Sequence, residues 1–275
     1  MTSAARASRA RRMPVTMARW LILILVGGYL VLPLVAMLEF STRGPGGART
    51  LDAWAAIGSD KTLVGSIVVS LELAALTVIG MILLLVPTMS WAYLRVPRAR
   101  RIIEFLCLLP LAIPAIVIVV GIAPIYRSLN SVFGGSALTL VFVDIVLVLP
   151  FAYRAIDGGL RAVDVNTLAD AARSLGAGWP RVIAQIIVPN IRGGILNASV
   201  LAIALVLGEF TISSLLNFRV LQVVINLLGK RNAFTSVAVS LAALIFAFVL
   251  IIVISRLAPG GRSRGRQAAE EEPAS

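Results

Sequence analysis

Long apolar runs broken by short polar segments set the pattern of this chain. Runs near the ~20 residues that cross a bilayer fall at about 20–38, 63–86, 102–123, 137–153, 195–216 and 236–255. Each predicts a membrane-spanning helix, so the pattern predicts an all-α, polytopic membrane protein with six transmembrane helices. The first run follows the basic stretch RASRARR, which has the look of a secretory-signal preface. That run is too long for a signal and lacks a small-residue cleavage site, so it is expected to stay as the first span. Pro110 and Pro114 lie inside the third run. They predict either a kink near a pore or a simple packing irregularity, because neighbouring helices in a membrane can satisfy the carbonyls that a proline frees.

Composition agrees with lipid as the solvent: 59% of residues are hydrophobic and 14% charged, against about 25% charged in soluble domains. The single cysteine, Cys107, excludes an intramolecular disulfide, and the lack of histidine removes the commonest metal ligand. No metal or cofactor site is expected in this chain. The sequence contains no G-x-x-x-x-G-K-[ST] stretch, so ATP has no phosphate-binding loop here.

Charge gives an orientation. With the N-terminus in the cytoplasm, 18 of the 25 basic residues fall on inner segments, among them Arg98, Arg100, Arg101, Arg154, Arg173 and Arg181. The outer segments hold Arg43, Arg49, Lys61, Arg127, Arg219, Lys230 and Arg231. This bias predicts cytoplasmic termini and accounts for most of the net charge of +12 without nucleic acid. The expected organisation is a basic cytoplasmic arm over 1–19, a six-span domain over 20–256, and a disordered tail over 257–275.

One polar interruption stands out between the fourth and fifth runs: DAARSLGAGWPRVIAQIIVP, from Asp170 to Pro189. Upstream of its turn, Val165, Leu168, Ala172 and Leu175 recur at helical spacing, with Ala171 beside them. Gly176 stands where a helix C-terminus needs a left-handed residue. Trp179 and Pro180 suit a new helix start, and Pro189 ends it. The pattern predicts a helical knob over about 160–191 on the cytoplasmic face. It could read DNA, connect two spans, or dock a cytoplasmic partner; the mostly apolar second half argues against DNA.

From Asp170 the spacing runs acid-Ala-Ala, three residues, Gly176, nine residues, Ile186, one residue, Val188, Pro189. This resembles the EAA loop of bacterial ABC importer permeases, E-A-A-x3-G-x9-I-x-L-P, with Asp170 for Glu and Val188 for Leu. A Pro-Gly pair that often follows in the family appears here as Arg192-Gly193-Gly194. The likeness is most specific over 160–216, extends plausibly from about residue 60, and is absent from the N-terminal arm.

The resemblance implies a type I importer fold in which the loop is a cytoplasmic coupling helix. It implies that Asp170, Ala171, Ala172, Gly176 and Pro189 seat it in a cleft of a separate ATPase, Asp170 meeting a basic group there. It also implies an ATPase dimer that binds the ATP, a second permease subunit in a heterodimer, an extracytoplasmic substrate-binding protein, and the bacterial inner membrane. The chain itself would be non-catalytic. Asp170 has a structural alternative, since Thr167-x-x-Asp170 fits a capping box with Thr167 as the N-cap.

Charged residues within spans usually face a cavity or a partner. Glu72 and Asp144 are expected to be structural, and Glu104 to snorkel or to pair with Arg100 or Arg101. On the fifth span Asn197, Ala204, Gly208 and Thr211 recur on one face, with Glu209 about 100° round the helix. Asn197, Gly208, Glu209 and Thr211 are the candidate lining of a translocation path; an interhelical hydrogen bond is the other expectation for Glu209. LGEFTISSLLN further resembles the importer branch for polyamines, 2-aminoethylphosphonate and, more distantly, ferric iron. An ion-coupled secondary carrier using Asp144 and Glu209 is the competing class, which an inverted internal repeat would favour.

Overall fold

The computed structural model describes residues 3–44 and 47–257. Among these the chain is helical, with one isolated bridge pairing Arg43 and Arg49. Five helices are long and apolar enough to cross a membrane: Arg19–Ser41, Lys61–Leu94, Ala137–Arg161, Arg192–Leu215 and Ala233–Ile254. A sixth span is built from two pieces, Ala99–Ala112 and Ala115–Leu129, which meet at 102°. The third apolar run is therefore not the straight helix its hydropathy suggests. Ile113 is extended there, at φ −106° and ψ 121°. The residue before a proline is pushed out of the helical region, so Pro114 ends one helix and opens the next.

The chain divides into two compact units. The first comprises residues 1–64 and 225–245. Its leading helix runs unbroken from Ser3 to Ser41, so the expected basic arm is continuous with the first span. The most apolar stretch of that span buries nothing within the chain. Its far end is tied down by Trp54 Nε1, which donates to Ser41 Oγ at 3.1 Å, and by Phe40 stacked on Phe234 at 5.0 Å. The expectation for the tail falls on 258–275, outside the described residues.

The second unit comprises residues 65–224 and 246–275. Its core is made by Met81, Leu85, Met89, Val148, Ile156 and Leu160 with Val182, Ile187, Ile191, Ala198 and Ala202, all nearly inaccessible. The fourth span packs on the fifth at a pair of glycines. A Cβ on Gly194 would lie 2.8 Å from the Ala155 carbonyl oxygen and 3.2 Å from Gly159 Cα. Small residues let two backbones approach this closely in a membrane, and any side chain at Gly194 would force them apart.

Candidate functional site

Two places in the second unit carry the candidate chemistry. The first is the loop between the fourth and fifth spans. Its opening helix, Val165–Ser174, is capped by Asp164, whose carboxylate accepts from Thr167 N at 3.3 Å and Thr167 Oγ1 at 2.6 Å. These bonds favour the charged form and hold the Asp164 carboxyl below its ordinary range. The expected cap at Thr167 is thus corrected: Thr167 lies inside the helix and donates to the real cap three residues earlier. Asp170 has no capping role.

The apolar stripe is also rotated from expectation. Val165 and Ala169 are buried and Ala172 half-buried, whereas Leu168 faces out and Leu175 is 89% exposed. The helix closes on Gly176, at φ +83°. Gly176 N donates to Arg173 O at 2.9 Å and Ala177 N to Ala172 O at 3.1 Å, the paired bonds of a Schellman ending. A non-glycine residue there would be strained.

Beyond the turn, Trp179–Arg181 leads into a wider π-helical stretch, Val182–Ile187, and then Val188–Asn190. The widening lies just before Pro189, whose ring would strike the carbonyl four residues back in ordinary α winding. Val182 and Ile187 bury this half in the core. The Trp179 ring is contacted by two guanidinium groups, Arg95 at 4.6 Å and Arg173 at 4.8 Å. Arg173 belongs to the first half of the knob, so the indole ties the halves to each other and to the end of the second span. Asp170, Ala171, Gly176 and Pro189 are exposed and Ala172 half-buried. The Asp170 carboxylate has no ion pair or side-chain hydrogen bond among the described residues.

A second network escaped the sequence. Asp157, buried near the end of the fourth span, accepts from Tyr93 Oη at 2.5 Å and pairs with Arg161 at 2.7 Å. Arg100 lies 3.7 Å over the Tyr93 ring. Arg100 is therefore engaged elsewhere, and among the described residues Glu104 forms an ion pair with neither Arg100 nor Arg101, which leaves the snorkelling alternative. Glu72 is exposed on its span and makes no ion pair or side-chain hydrogen bond among the described residues.

The second place is a cleft of about 330 Å³ lined by the third, fourth and fifth spans. Its polar lining is Asp144, Gly208, Glu209 and Thr211; Pro110, Leu111, Leu147, Val148, Phe151, Leu205, Val206 and Phe210 form the rest. Asn197 does not reach it. The fifth span is interrupted here: one helix ends at Gly208 and a short one runs from Thr211 to Leu215. Glu209 bonds to the start of the short helix, accepting from Ile212 N at 2.7 Å, Ser213 N at 3.0 Å and Ser213 Oγ at 2.7 Å. The expected interhelical bond is replaced by a bond within its own segment. Asp144 is 3% exposed, and its buried Oδ2 has no hydrogen-bond partner among the described residues.

Residues 85–260 match the family described as binding-protein-dependent transport system inner membrane component. The chain is also 32% identical over 192 residues to a phosphate transport system permease protein, PstA, of Pasteurella multocida strain Pm70. That match covers 69% of this chain, and the chain spans 63% of the relative's length. Membership decides against the ion-coupled carrier class. The match, the spans and the acid-Ala-Ala knob at the fourth interval converge: this chain belongs to the binding-protein-dependent inner membrane components, the permease family of ABC importers.

Proposed function

We propose that this chain is one transmembrane half of an ATP-driven importer and that its Asp170 knob docks on a separate ATPase subunit. The carrying observation is a capped and proline-ended knob that displays an exposed Leu175 and a carboxylate with no ion pair or side-chain hydrogen bond among the described residues. A charge buried without a partner is costly, so an aspartate meant for a basic pocket is left exposed until the pocket arrives. Closure of an ATPase dimer would push the knob, and the joints at Trp179 and Gly194 would pass that push to the spans. The basic bias supports a cytoplasmic knob and cytoplasmic termini in the inner membrane. Glu72, exposed in mid-span, supports a second permease subunit covering that face. The broken fifth span and its cleft form the path for a small hydrophilic solute delivered by an extracytoplasmic binding protein. The likeness of LGEFTISSLLN favours a polyamine or 2-aminoethylphosphonate, while the Pasteurella relative is named for phosphate.

The test uses the assembled transporter in cells. Asp170→Lys and Gly176→Val should reach the membrane, yet bind the ATPase about a hundredfold more weakly, as expected when a close charge contact is lost. With Cys107 replaced, a cysteine at position 173 should stay shielded from an impermeant thiol reagent outside the cell. Normal import by both variants, or labelling at 173 from outside, would refute the docking scheme.

A further inference from the structure

The helix of the fifth span ends at Gly208, inside the apolar stretch Arg192–Leu215. Carbonyls left open at such an end have no water to turn to, so their donors must come from the protein. One donor comes from fifteen residues further on: Gln222 Nε2 donates to Leu207 O at 2.9 Å. Leu207 lies between Val206 and Gly208, both of which line the cleft, whereas Gln222 does not. Gln222 therefore grips the main chain of the cleft wall from behind.

The segment that carries Gln222 is firmly seated. Val220, Leu221, Val223 and Val224 are buried, and Leu221 N donates to the buried Ser70 Oγ of the second span at 2.9 Å.

Two sets of bonds meet at the break, and their strengths differ. Beyond it, the Glu209 oxygens take three donors from the start of Thr211–Leu215. Hydrogen bonds to a carboxylate are about twice as strong as neutral ones. Before it, Gln222 holds the end of Arg192–Gly208 with a single neutral amide bond. Glu209 itself is extended, at φ −72° and ψ 121°, so the chain can turn there without unwinding either helix. A displacement of the fifth-span helix thus parts Gln222 from Leu207 before it disturbs the bonds of Glu209. That helix begins at Arg192, two residues after the last helix of the knob, so it receives any movement of the knob directly.

We propose that the Gln222 amide is a latch on the translocation path, which holds the end of the fifth-span helix in the resting arrangement and lets go when that helix is driven. Gln222 is a positioning residue that acts through Leu207. The assignment rests on the permease reading and adds to it the point at which the stroke is restrained.

The experiment follows ATP hydrolysis by the full-length chain assembled with its permease and ATPase partners in lipid vesicles, with no binding protein added. Losing one neutral hydrogen bond shifts a two-state equilibrium about fivefold. Gln222→Leu and Gln222→Glu both remove the donor, and Gln222→Glu keeps the shape. Both should raise hydrolysis per assembled complex about fivefold, with the amount of complex unchanged. A glutamine that only satisfies a carbonyl for folding predicts the reverse, less complex and no gain in rate. Loss of complex in both variants, or a rate per complex that does not rise in Gln222→Glu, would overturn the latch. Adding Asp170→Lys to Gln222→Glu should cancel the rise, because the stroke reaches the ATPase through the knob. A rise that survives Asp170→Lys leaves the latch standing and refutes the docking scheme. No rise, with Asp170→Lys still detaching the ATPase, removes the latch alone.

Discussion

The knob and the break in the fifth span are made from the same ingredients, a glycine and an acidic residue at a helix interruption, and use them in opposite ways. At the knob the acids divide the work. Asp164 caps the helix, which leaves Asp170 free on the outer face. At the break a single residue, Glu209, meets the unsatisfied N–H groups of the next helix. Water explains the contrast. An exposed helix end can borrow donors and acceptors from solvent, whereas within a membrane every backbone group must find a partner in the protein. The same residue type is thus available for a partner outside the bilayer and consumed by structure inside it.

The comparison breaks most sharply at the acids themselves. Glu209→Ala leaves two backbone donors and a hydroxyl unmet, which should destabilise the fifth span by about 2–4 kcal/mol. Asp170→Ala should leave the melting temperature of the purified permease chain unchanged while import falls. Equal melting temperatures for Glu209→Ala and the parent would show that the break does not need its carboxylate. Glu209→Gln keeps an acceptor and should fall between the two.

A smaller effect is expected at the indole that joins the halves of the knob. Trp179→Leu removes contacts with Arg95 and Arg173, each worth about 0.5–1 kcal/mol at an accessible site. Amide exchange over 165–190 should quicken about tenfold, with no change across the fourth span. Unchanged exchange would mean that burial of Val182 and Ile187 alone makes the knob rigid.

The smallest effect belongs to Asp164→Ala, which should quicken exchange only in the first turn of Val165–Ser174. Its pH dependence has a definite sign. A carboxyl held low in the folded chain stabilises it above the ordinary carboxylate range and loses that contribution as pH falls through the lowered value. The gap between parent and variant should therefore persist through mildly acidic pH and close only in strong acid. A gap that stays open in strong acid would mean that the carboxylate charge is not what caps the helix.

What was legible in the sequence was whatever a residue type forces on the backbone. Gly176 had to be left-handed to end a helix there, and Trp179-Pro180 had to begin one. Apolar runs carry no such instruction: a run satisfies lipid whether its helix is straight or bent. In the third run the prolines left a kink or a packing irregularity open, and the kink is what forms at Pro114; the break after Gly208 carried no such mark, and the helical face drawn through Asn197 and Thr211 fails because the helix stops between them. Asp164 was passed over because the Thr167-x-x-Asp170 pattern competed for the same cap. The short helix Leu221–Gly229 falls between the runs drawn for the fifth and sixth spans and was left unassigned, though Leu221, Val224, Ile225 and Leu228 sit at helical spacing.

The glycine contact between the fourth and fifth spans also sets a mechanical ratio. Two backbones touching at Gly159 and Gly194 can rotate about that point more easily than they can separate. The fifth helix extends two residues from Gly194 to Arg192 on the knob side and fourteen to Gly208 on the other. At 1.5 Å per residue these arms are about 3 and 21 Å. Turning through about 10° would shift the near end by about 0.5 Å and the far end by about 4 Å, on the same rise. A fulcrum set this close to the knob makes the helix a long lever, and its tip carries one wall of the cleft.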